Sequence, residues 1–274
     1  MSIQEEGFLS PDIIRFIREH RQKCEAAFRL AGALNRTAQH LLLTSEAPVD
    51  GDGLNATNIA QLLFVRALSN FQGAILMAER GAVVEARTLA RTCLETVFAL
   101  AAAVSMEDGF IDRVVANEMG SKSKGANWLL NQPQLTIKIE PGAQSELKSF
   151  VDRLKQEAEP TGSFATEEMA RNGGLDGLYV LFRQLSSDAA HPLLEALNRY
   201  VDDGQGGLRA EILWGPVCGA DEIEDTVTMA CCFLLVGAVT LNMACPVLGV
   251  GDQLGDHFDT YKSLLSSASA QGRS

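Results

Sequence analysis

The sequence lacks the short motifs that mark common metal, nucleotide and hydrolase sites. It has no HExxH, no P-loop and no GxSxG. A glycine series near the end, Gly249 to Gly255, places its third glycine one residue late for a dinucleotide turn, and it follows a long apolar segment rather than a strand. None of the six cysteines forms a CxxC pair, and adjacent Cys231 and Cys232 point to different sides of a helix. We therefore expect no metal and no cofactor.

The sequence also has no long basic run, and we expect no signal peptide at its start. Its formal net charge is -12 and its pI is about 4.8, which opposes loose binding to phosphate backbones. A nucleic-acid groove would have to be assembled by folding. The opening residues, MSIQEEGFLS, lack a basic n-region and an apolar core. Together with cysteines that lie in apolar helical runs, this predicts a cytoplasmic protein.

One segment has no charge at all. Thr226 to Gly251 is long enough to span a bilayer. However, Asn242 and Pro246 make the segment less apolar, and no Lys or Arg lies close to either end, where such residues anchor membrane helices. A helix buried on all sides gives the same pattern. We expect a buried helix and no membrane partner, with membrane association as the alternative.

The remaining pattern is helix after helix, without βαβ alternation or a solenoid repeat. Gly81 ends one apolar helix and Val83 begins the next, so these two helices must be antiparallel neighbours. We predict a single all-α domain over 1–274, a helical bundle with peripheral helices around a central apolar helix near 226–245. Its predicted parts are an N-terminal helical region (1–50), an αα-hairpin (54–105), a motif helix (175–191) and C-terminal helices (222–270).

Several helix limits follow from the same periodicity. One helix is predicted from Pro11 to about Leu43, and another from about Asp108 to Gly120. The residues after Gly120 are predicted to be a soft, exposed segment. Residues 135–139 alternate and predict a short extended piece, and Glu146 to Glu157 is amphipathic.

The stretch YVLFRQLSSDAAHP, residues 179–192, offers the first candidate site. Arg183, Ser187 and His191 lie four residues apart and form one helical stripe, which Tyr179 extends by a turn. A permanent cation, hydroxyls and a group that titrates near neutral pH are the parts of metal-free phosphodiester cleavage by 2′-hydroxyl attack. The alternative is structural: Arg183 pairs with an acid such as Asp188, and His191 caps a helix end.

A second polar stripe lies on the predicted central helix. Arg87, Arg91 and Glu95 are four residues apart in an otherwise apolar run. Charges on a central helix either meet partners or face a cleft. The alternative is a solvent-facing stripe with one i,i+4 ion pair.

The two stretches together resemble the HEPN-like, abortive-infection-related group of bacterial proteins of unknown function. The first motif of that group, G-x-x-x-E-A-x-x-L-x-R-x-x-x-E, is matched by Gly81, Glu85, Ala86, Leu89, Arg91 and Glu95. The second resembles Tyr/Phe-Arg-x-Leu-Ser-x-x-x-His-Pro and is matched, with one extra residue before the histidine, by Phe182, Arg183, Leu185, Ser186, His191 and Pro192. The resemblance implies a HEPN-like helical bundle, homodimers and an Arg/His ribonuclease cleft of the kind used in toxin–antitoxin and phage-defence systems.

Two functional hypotheses follow. In the first, the chain is a metal-independent ribonuclease or defence effector with Arg183 and His191 as catalytic residues and RNA, an antitoxin or another protein as partner. Its supporting polar cluster comprises Glu85, Arg87, Arg91, Glu95, Tyr179, Ser186 and Ser187. In the second, the chain is a non-catalytic helical interaction protein whose Arg, Glu and His residues form a structural polar network.

Overall fold

The described structure is helical apart from one short pair of strands. The computed structural model describes residues 3–45, 55–132, 134, 140–157, 164–190, 194–202, 211–212 and 218–270. The helices in chain order are α1 (Ile3–Glu6), α2 (Ile13–Lys23), α3 (Glu25–Thr44), α4 (Ala56–Ala78), α5 (Val83–Met106), α6 (Asp108–Leu130), α7 (Pro141–Glu157), α8 (Thr166–Asn172), α9 (Tyr179–Leu185), α10 (Leu194–Leu197), α11 (Ala220–Ala244) and α12 (Val250–Ala270). Strands β1 (Val201–Asp202) and β2 (Glu211–Ile212) pair antiparallel, with Val201 opposite Ile212. The predicted all-helical class is confirmed.

Helix α11 lies at the centre of the packing. It contacts α3, α4, α5 and α12, and α5 in turn packs against α4, α8 and α9. The apolar side chains that fill this core include Phe64, Phe71, Phe98, Phe233 and Leu234, all fully buried. Most residues of the apolar segment from Thr226 to Ala238 are therefore buried in the bundle. Val239, Met243 and Leu248, further along the segment, are exposed.

Helices α4 and α5 form an antiparallel hairpin through a tight turn. Gly81 has φ +77°, a conformation that L side chains rarely adopt, and this residue reverses the chain. The amides of Gly81 and Ala82 donate to the carbonyls of Ala78 and Met77, which satisfies the end of α4. Further along the hairpin, a Cβ on Gly73 would lie 3.0 Å from Leu89 Cδ1, so the two helices approach closely there.

Two predicted helix limits are wrong. The helix predicted over 11–43 is divided at Cys24, whose φ of -110° and ψ of 35° separate α2 from α3. The segment predicted to be soft after Gly120 continues α6 as far as Leu130. Glycine and polar residues lower helix propensity only modestly, and α6 packs along α7, so tertiary contact overrides the local signal.

Helix α4 carries apolar side chains on its exposed face as well as on its buried face. Leu62 and Val65 fit a helical apolar period, yet their exposed fractions are 68% and 42%. The stripe that faces the core instead carries Ala60, Phe64, Ala67, Phe71 and Ala74. Both faces of α4 are apolar, so periodicity alone could not select the buried one.

The motif helix has nearly the predicted extent but is less regular than an α-helix, and it begins with a 3-10 turn, Asp176–Leu178. Tyr179–Leu185 is α-helical, and Ser186–Ala190 continues it as a five-residue π-helical turn. A π-helical turn has more residues per turn than the α-helix assumed for the predicted stripe, yet Arg183 and Ser187 still line one cleft. His191 and the predicted extended piece at 135–139 lie outside the described residues.

Three helices are long and apolar enough, by length and composition alone, to cross a membrane. They are α4, α5 and α11, and α11 has the highest mean hydropathy, 2.0. About half of the apolar window of α5 and of α11 (56% each) is buried inside the structure.

Candidate functional site

The polar residues of α5 point away from α4, towards α9, the π-helical turn and the start of α11. The apolar residues between them, including Ala86, Ala90, Cys93 and Leu94, are buried and hold the helix in place. The polar side chains are thus fixed on a rigid element beside the π-helical turn. Two clusters result, one around Arg87 and one around Arg91.

The first cluster joins four charged side chains from four parts of the chain. The Arg87 guanidinium pairs with Asp188 of the π-helical turn, and its Nη1 lies 3.3 Å from Glu222 Oε1 of α11. Arg199 Nη2 lies 3.3 Å from Asp188 Oδ1 and 2.8 Å from Glu222 Oε1. The Arg87 Nε donates to Thr226 Oγ1 at 3.2 Å, and that hydroxyl donates to the Glu222 carbonyl at 2.7 Å. We call Arg87, Asp188, Arg199 and Glu222 the charge quartet.

The charge quartet is electrically balanced and mostly withdrawn from solvent. Its two guanidinium groups face two carboxylates, and the exposed fractions of the side chains run from 17% for Arg87 to 30% for Asp188. Partly buried charges need partners because desolvation penalises each isolated ion. Each cation here has two carboxylate partners, so the quartet satisfies its own charges and links α5, the π-helical turn, residues 198–200 and α11.

The second cluster surrounds Arg91, one turn further along α5. Its Nε donates to Ser186 Oγ at 2.7 Å, and its Nη1 lies 3.5 Å from Glu95 Oε2. The guanidinium also covers the Phe182 ring, with 4.5 Å from Cζ to the ring centroid. The Thr166 hydroxyl donates to Glu95 Oε1 at 3.0 Å, which extends the cluster to α8. Arg91 therefore fixes the motif helix against α5.

Arg183 faces outward beside a cleft. It is exposed, and with Gln184, Ser187, Asp188 and Ala196 it lines a cleft of about 410 Å³. The predicted Arg183–Asp188 pair is not formed, because Asp188 is engaged by Arg87 and Arg199. Arg183 and Ser187 thus reach the same opening, and the charge quartet forms one side of it through Asp188.

Of the other predicted residues, Tyr179 and Ser186 contact the protein interior and Glu85 faces solvent. Tyr179 stacks on Phe182 with ring centroids 5.6 Å apart and belongs to the packed side of the motif helix. Glu85 is exposed on the first turn of α5. Ser186 accepts from Arg91 and donates to the Phe182 carbonyl at 2.7 Å, so it is a positioning residue for the helix.

Sequence reasoning missed Arg199, Glu222, Thr226 and Thr166. Glu222 and Thr226 had a signal, because they are four residues apart at the acidic start of the apolar helix. Arg199 and Thr166 had none, since they lie in short segments without periodicity. Their roles arise from contacts across 11 or more positions in the chain.

Two cysteines of this region, Cys93 of α5 and Cys218 just before α11, are poor nucleophiles. Burial raises the pKa of Cys93 to about 12 and that of Cys218 to about 11, so both thiols stay protonated at neutral pH. Among the residues that the structure describes, no three His, Cys, Asp or Glu side chains gather in a way that could hold a metal ion.

A family model, described as a family of unknown function (DUF5677), matches residues 57–208, more than half of the chain. The chain belongs to DUF5677. The matched range includes α4, α5, the motif helix and Arg199, whereas Glu222 and the rest of α11 and α12 lie beyond it. No curated protein and no solved structure matches the chain.

Proposed function

We propose that this DUF5677 chain is a non-catalytic helical interaction protein, in which the polar residues of α5 and the motif helix serve as a structural network. The observation that carries the proposal is the charge quartet. Arg87 and Arg199 are each paired with both Asp188 and Glu222. A phosphodiester would have to displace these carboxylates before it could reach either cation, at the cost of leaving two acids unpaired.

The outer face of α4 supplies an interaction surface. Leu62, Val65 and Leu76 lie along one side of the helix and are exposed by 68%, 42% and 48%. Ser69 and Gln72 continue the same stripe at spacings of three and four residues. Exposed apolar stripes of this kind mark protein contacts, and a second copy of the chain is the partner we propose.

Sedimentation velocity tests this surface. Wild-type protein is expected to sediment as a homodimer, and Leu62→Glu as a monomer, because the charge enters the apolar contact. Val115→Glu, on an exposed apolar position of α6, is the matched control and should leave the dimer intact. A monomeric wild type, or a dimeric Leu62→Glu variant, contradicts the proposal.

A second candidate is a HEPN-like, metal-independent ribonuclease that acts as a defence effector with Arg183 and His191. The observation that favours it is the cleft beside the charge quartet, which Arg183 and Ser187 line from its open side. In this candidate function Arg183 would hold a phosphate in the cleft. The exchange of the 2′-hydroxyl proton is assigned to His191, which lies outside the described residues. An antitoxin that covers the cleft would be the matching protein partner.

One assay separates the two candidates. Purified wild type, Arg183→Ala and His191→Ala are incubated with single-stranded RNA in the presence of a chelator. The structural proposal expects equal, negligible cleavage by all three. Cleavage by the wild type that disappears in both variants, with unchanged melting temperatures, would replace it with the ribonuclease. Gln184→Ala, an exposed neighbour in the same cleft, is the control for non-specific damage.

A further inference from the structure

A second, larger cavity lies near the other end of α5, between its last turns, the chain after α8, and helices α11 and α12. Its volume is about 650 Å³, within the range of about 300–1,000 Å³ that is typical of small-molecule sites. Residues from all four parts line it: Ala101, Val104, Ser105, Gly173, Leu175, Cys232, Leu235, Val236, Val239, Thr240, Met243, Phe258 and Tyr261. Most of this lining lies beyond residue 208, where the family match ends.

The cavity has a buried floor and an exposed rim. Leu235 and Ala101 are 6% and 4% exposed, whereas Met243 and Phe258 are 74% and 49% exposed. Gly173 brings the chain after α8 against α5, since a Cβ there would lie 2.5 Å from Ala101 Cβ. The cavity is therefore a half-enclosed pocket with buried residues at its base, rather than a flat apolar patch.

The polar groups of its lining carry no charge at neutral pH. The Thr240 hydroxyl donates to the Val236 carbonyl at 2.9 Å, and burial raises the pKa of both the Cys232 thiol and the Tyr261 hydroxyl. Ser105 is the exposed polar side chain at the mouth. Among the described residues that line the cavity there is no Asp, Glu, Lys, Arg or His. The complementary ligand is therefore uncharged and makes its contacts through apolar surface.

We infer that this cavity binds a neutral, largely hydrocarbon small molecule. The inference goes beyond the interaction function proposed above and does not depend on it. A second protein copy fits less well, because a standard interface uses about 20–30 residues on each side. Of the large exposed apolar side chains in the described structure, the cavity lining contributes three, Val239, Met243 and Phe258.

Titration of the full chain with Nile red, a neutral apolar fluorophore, tests the site. Wild type is expected to bind it saturably with one site per chain. Val239→Trp should weaken binding by about tenfold or more, because the indole occupies the cavity. Val115→Trp, on α6, is similarly exposed (48% against 41%) and should bind as wild type does. A neutral alcohol, 1-dodecanol, should displace the dye at least about tenfold better than dodecanoate, whose carboxylate finds no cation in the lining.

A second pair of variants shows whether a loss of binding in the first pair is caused by misfolding. Phe258→Ala removes one wall, so it should weaken dye binding several-fold, whereas Trp128→Ala, at an exposed aromatic on α6, should not. Unsaturable binding by the wild type, or equal binding by wild type and both cavity variants, overturns the inference. So does a wild-type dimer that Val239→Trp converts to a monomer, because a second copy would then cover the cavity. Dimer loss in Leu62→Glu with dye binding intact would concern only the α4 surface.

Discussion

The Arg87 side chain connects α5 to two other parts of the chain. Its guanidinium contacts Asp188, Glu222 and Thr226, which belong to two other parts of the chain. Without it, the two carboxylates would remain close together with Arg199 as their shared cation. Residues that are polar within an apolar helix are thus explained by partners distant in sequence.

The first prediction concerns this side chain. Arg87→Ala should lower the free energy of unfolding by about 1–3 kcal/mol, because partly buried carboxylates lose their partner while helix propensity is unchanged or improved. Urea denaturation followed by circular dichroism measures it. Arg171→Ala, which breaks an i,i+4 pair at 68% exposure, should change stability by no more than about 0.5 kcal/mol. Equal effects of the two variants would contradict a structural role for the charge quartet.

His257 provides a pH-dependent contact, also at the residue scale. Its Nε2 lies 2.9 Å from Thr37 Oγ1, and Thr37 donates to Gln253 Oε1 at 3.1 Å, so α12 is joined to α3. Burial lowers the pKa of His257 below its ordinary 6.5, and the positive charge of Arg36 acts in the same direction, while Asp256 opposes it.

The sign of the pH effect follows from linkage. The folded state disfavours the proton that the unfolded chain binds at 6.5, so this contribution to stability is intact above that pH and is lost as pH falls towards the lower folded pKa. We expect the stability of wild type relative to His257→Gln to decline between about pH 7 and pH 5. Glutamine keeps a donor for Thr37. Parallel stability curves for the two proteins across this range would refute the prediction.

At the scale of elements, the central contact is the crossing of α11 and α5. Gly237 of α11 lies against Val97, and a Cβ at that position would be 2.9 Å from Val97 Cγ2. Val97 is fully buried and β-branched, so its side chain has little freedom to move aside. The small residue sets how closely the two helices approach.

The prediction at this crossing uses two glycines. Gly237→Val should destabilise the protein by about 2–3 kcal/mol, because overpacking outweighs the gain in helix propensity. Gly255→Ala, in α12 with no atom within 4 Å of the added Cβ, should stabilise it by about 0.5–1 kcal/mol. Thermal and urea unfolding measure both. A neutral Gly237→Val variant would mean that α5 and α11 adjust their separation freely.

In the molecule as a whole, the three apolar helices α4, α5 and α11 pack against one another. Helix α11 packs on α3, α4, α5 and α12, and α4 packs on α5. The acidic start of α11 carries Glu222, which is engaged in the charge quartet. We propose a cytoplasmic protein whose three most apolar helices pack on one another and leave part of their apolar surface exposed.

Fractionation tests that proposal. Untagged protein is expected in the soluble fraction without detergent, because the buried faces of α5 and α11 are packed against other helices of the bundle. Its net charge of -12 favours the same result. Recovery in the membrane pellet, with release by detergent but not by alkaline carbonate, would instead support a membrane-spanning role for α4, α5 or α11.

Local patterns in the sequence predicted the helical class, the positions of most long helices and the tight turn between α4 and α5. These properties depend on the local spacing of apolar residues and on the presence of a glycine at position 81, both of which can be read from the sequence. The positive φ of Gly81 agrees with that reading. The sequence also singled out Arg87, Arg91 and Glu95 as unusual in an apolar helix. Three features could be known only from the folded structure. They are the face of α4 that is buried, the pairing of Asp188 with Arg87, and the presence of Arg199 and Glu222 in the charge quartet. Those outcomes depend on which side chains meet across α5, α9 and α11, and periodicity along one helix contains no information about the partner that it meets.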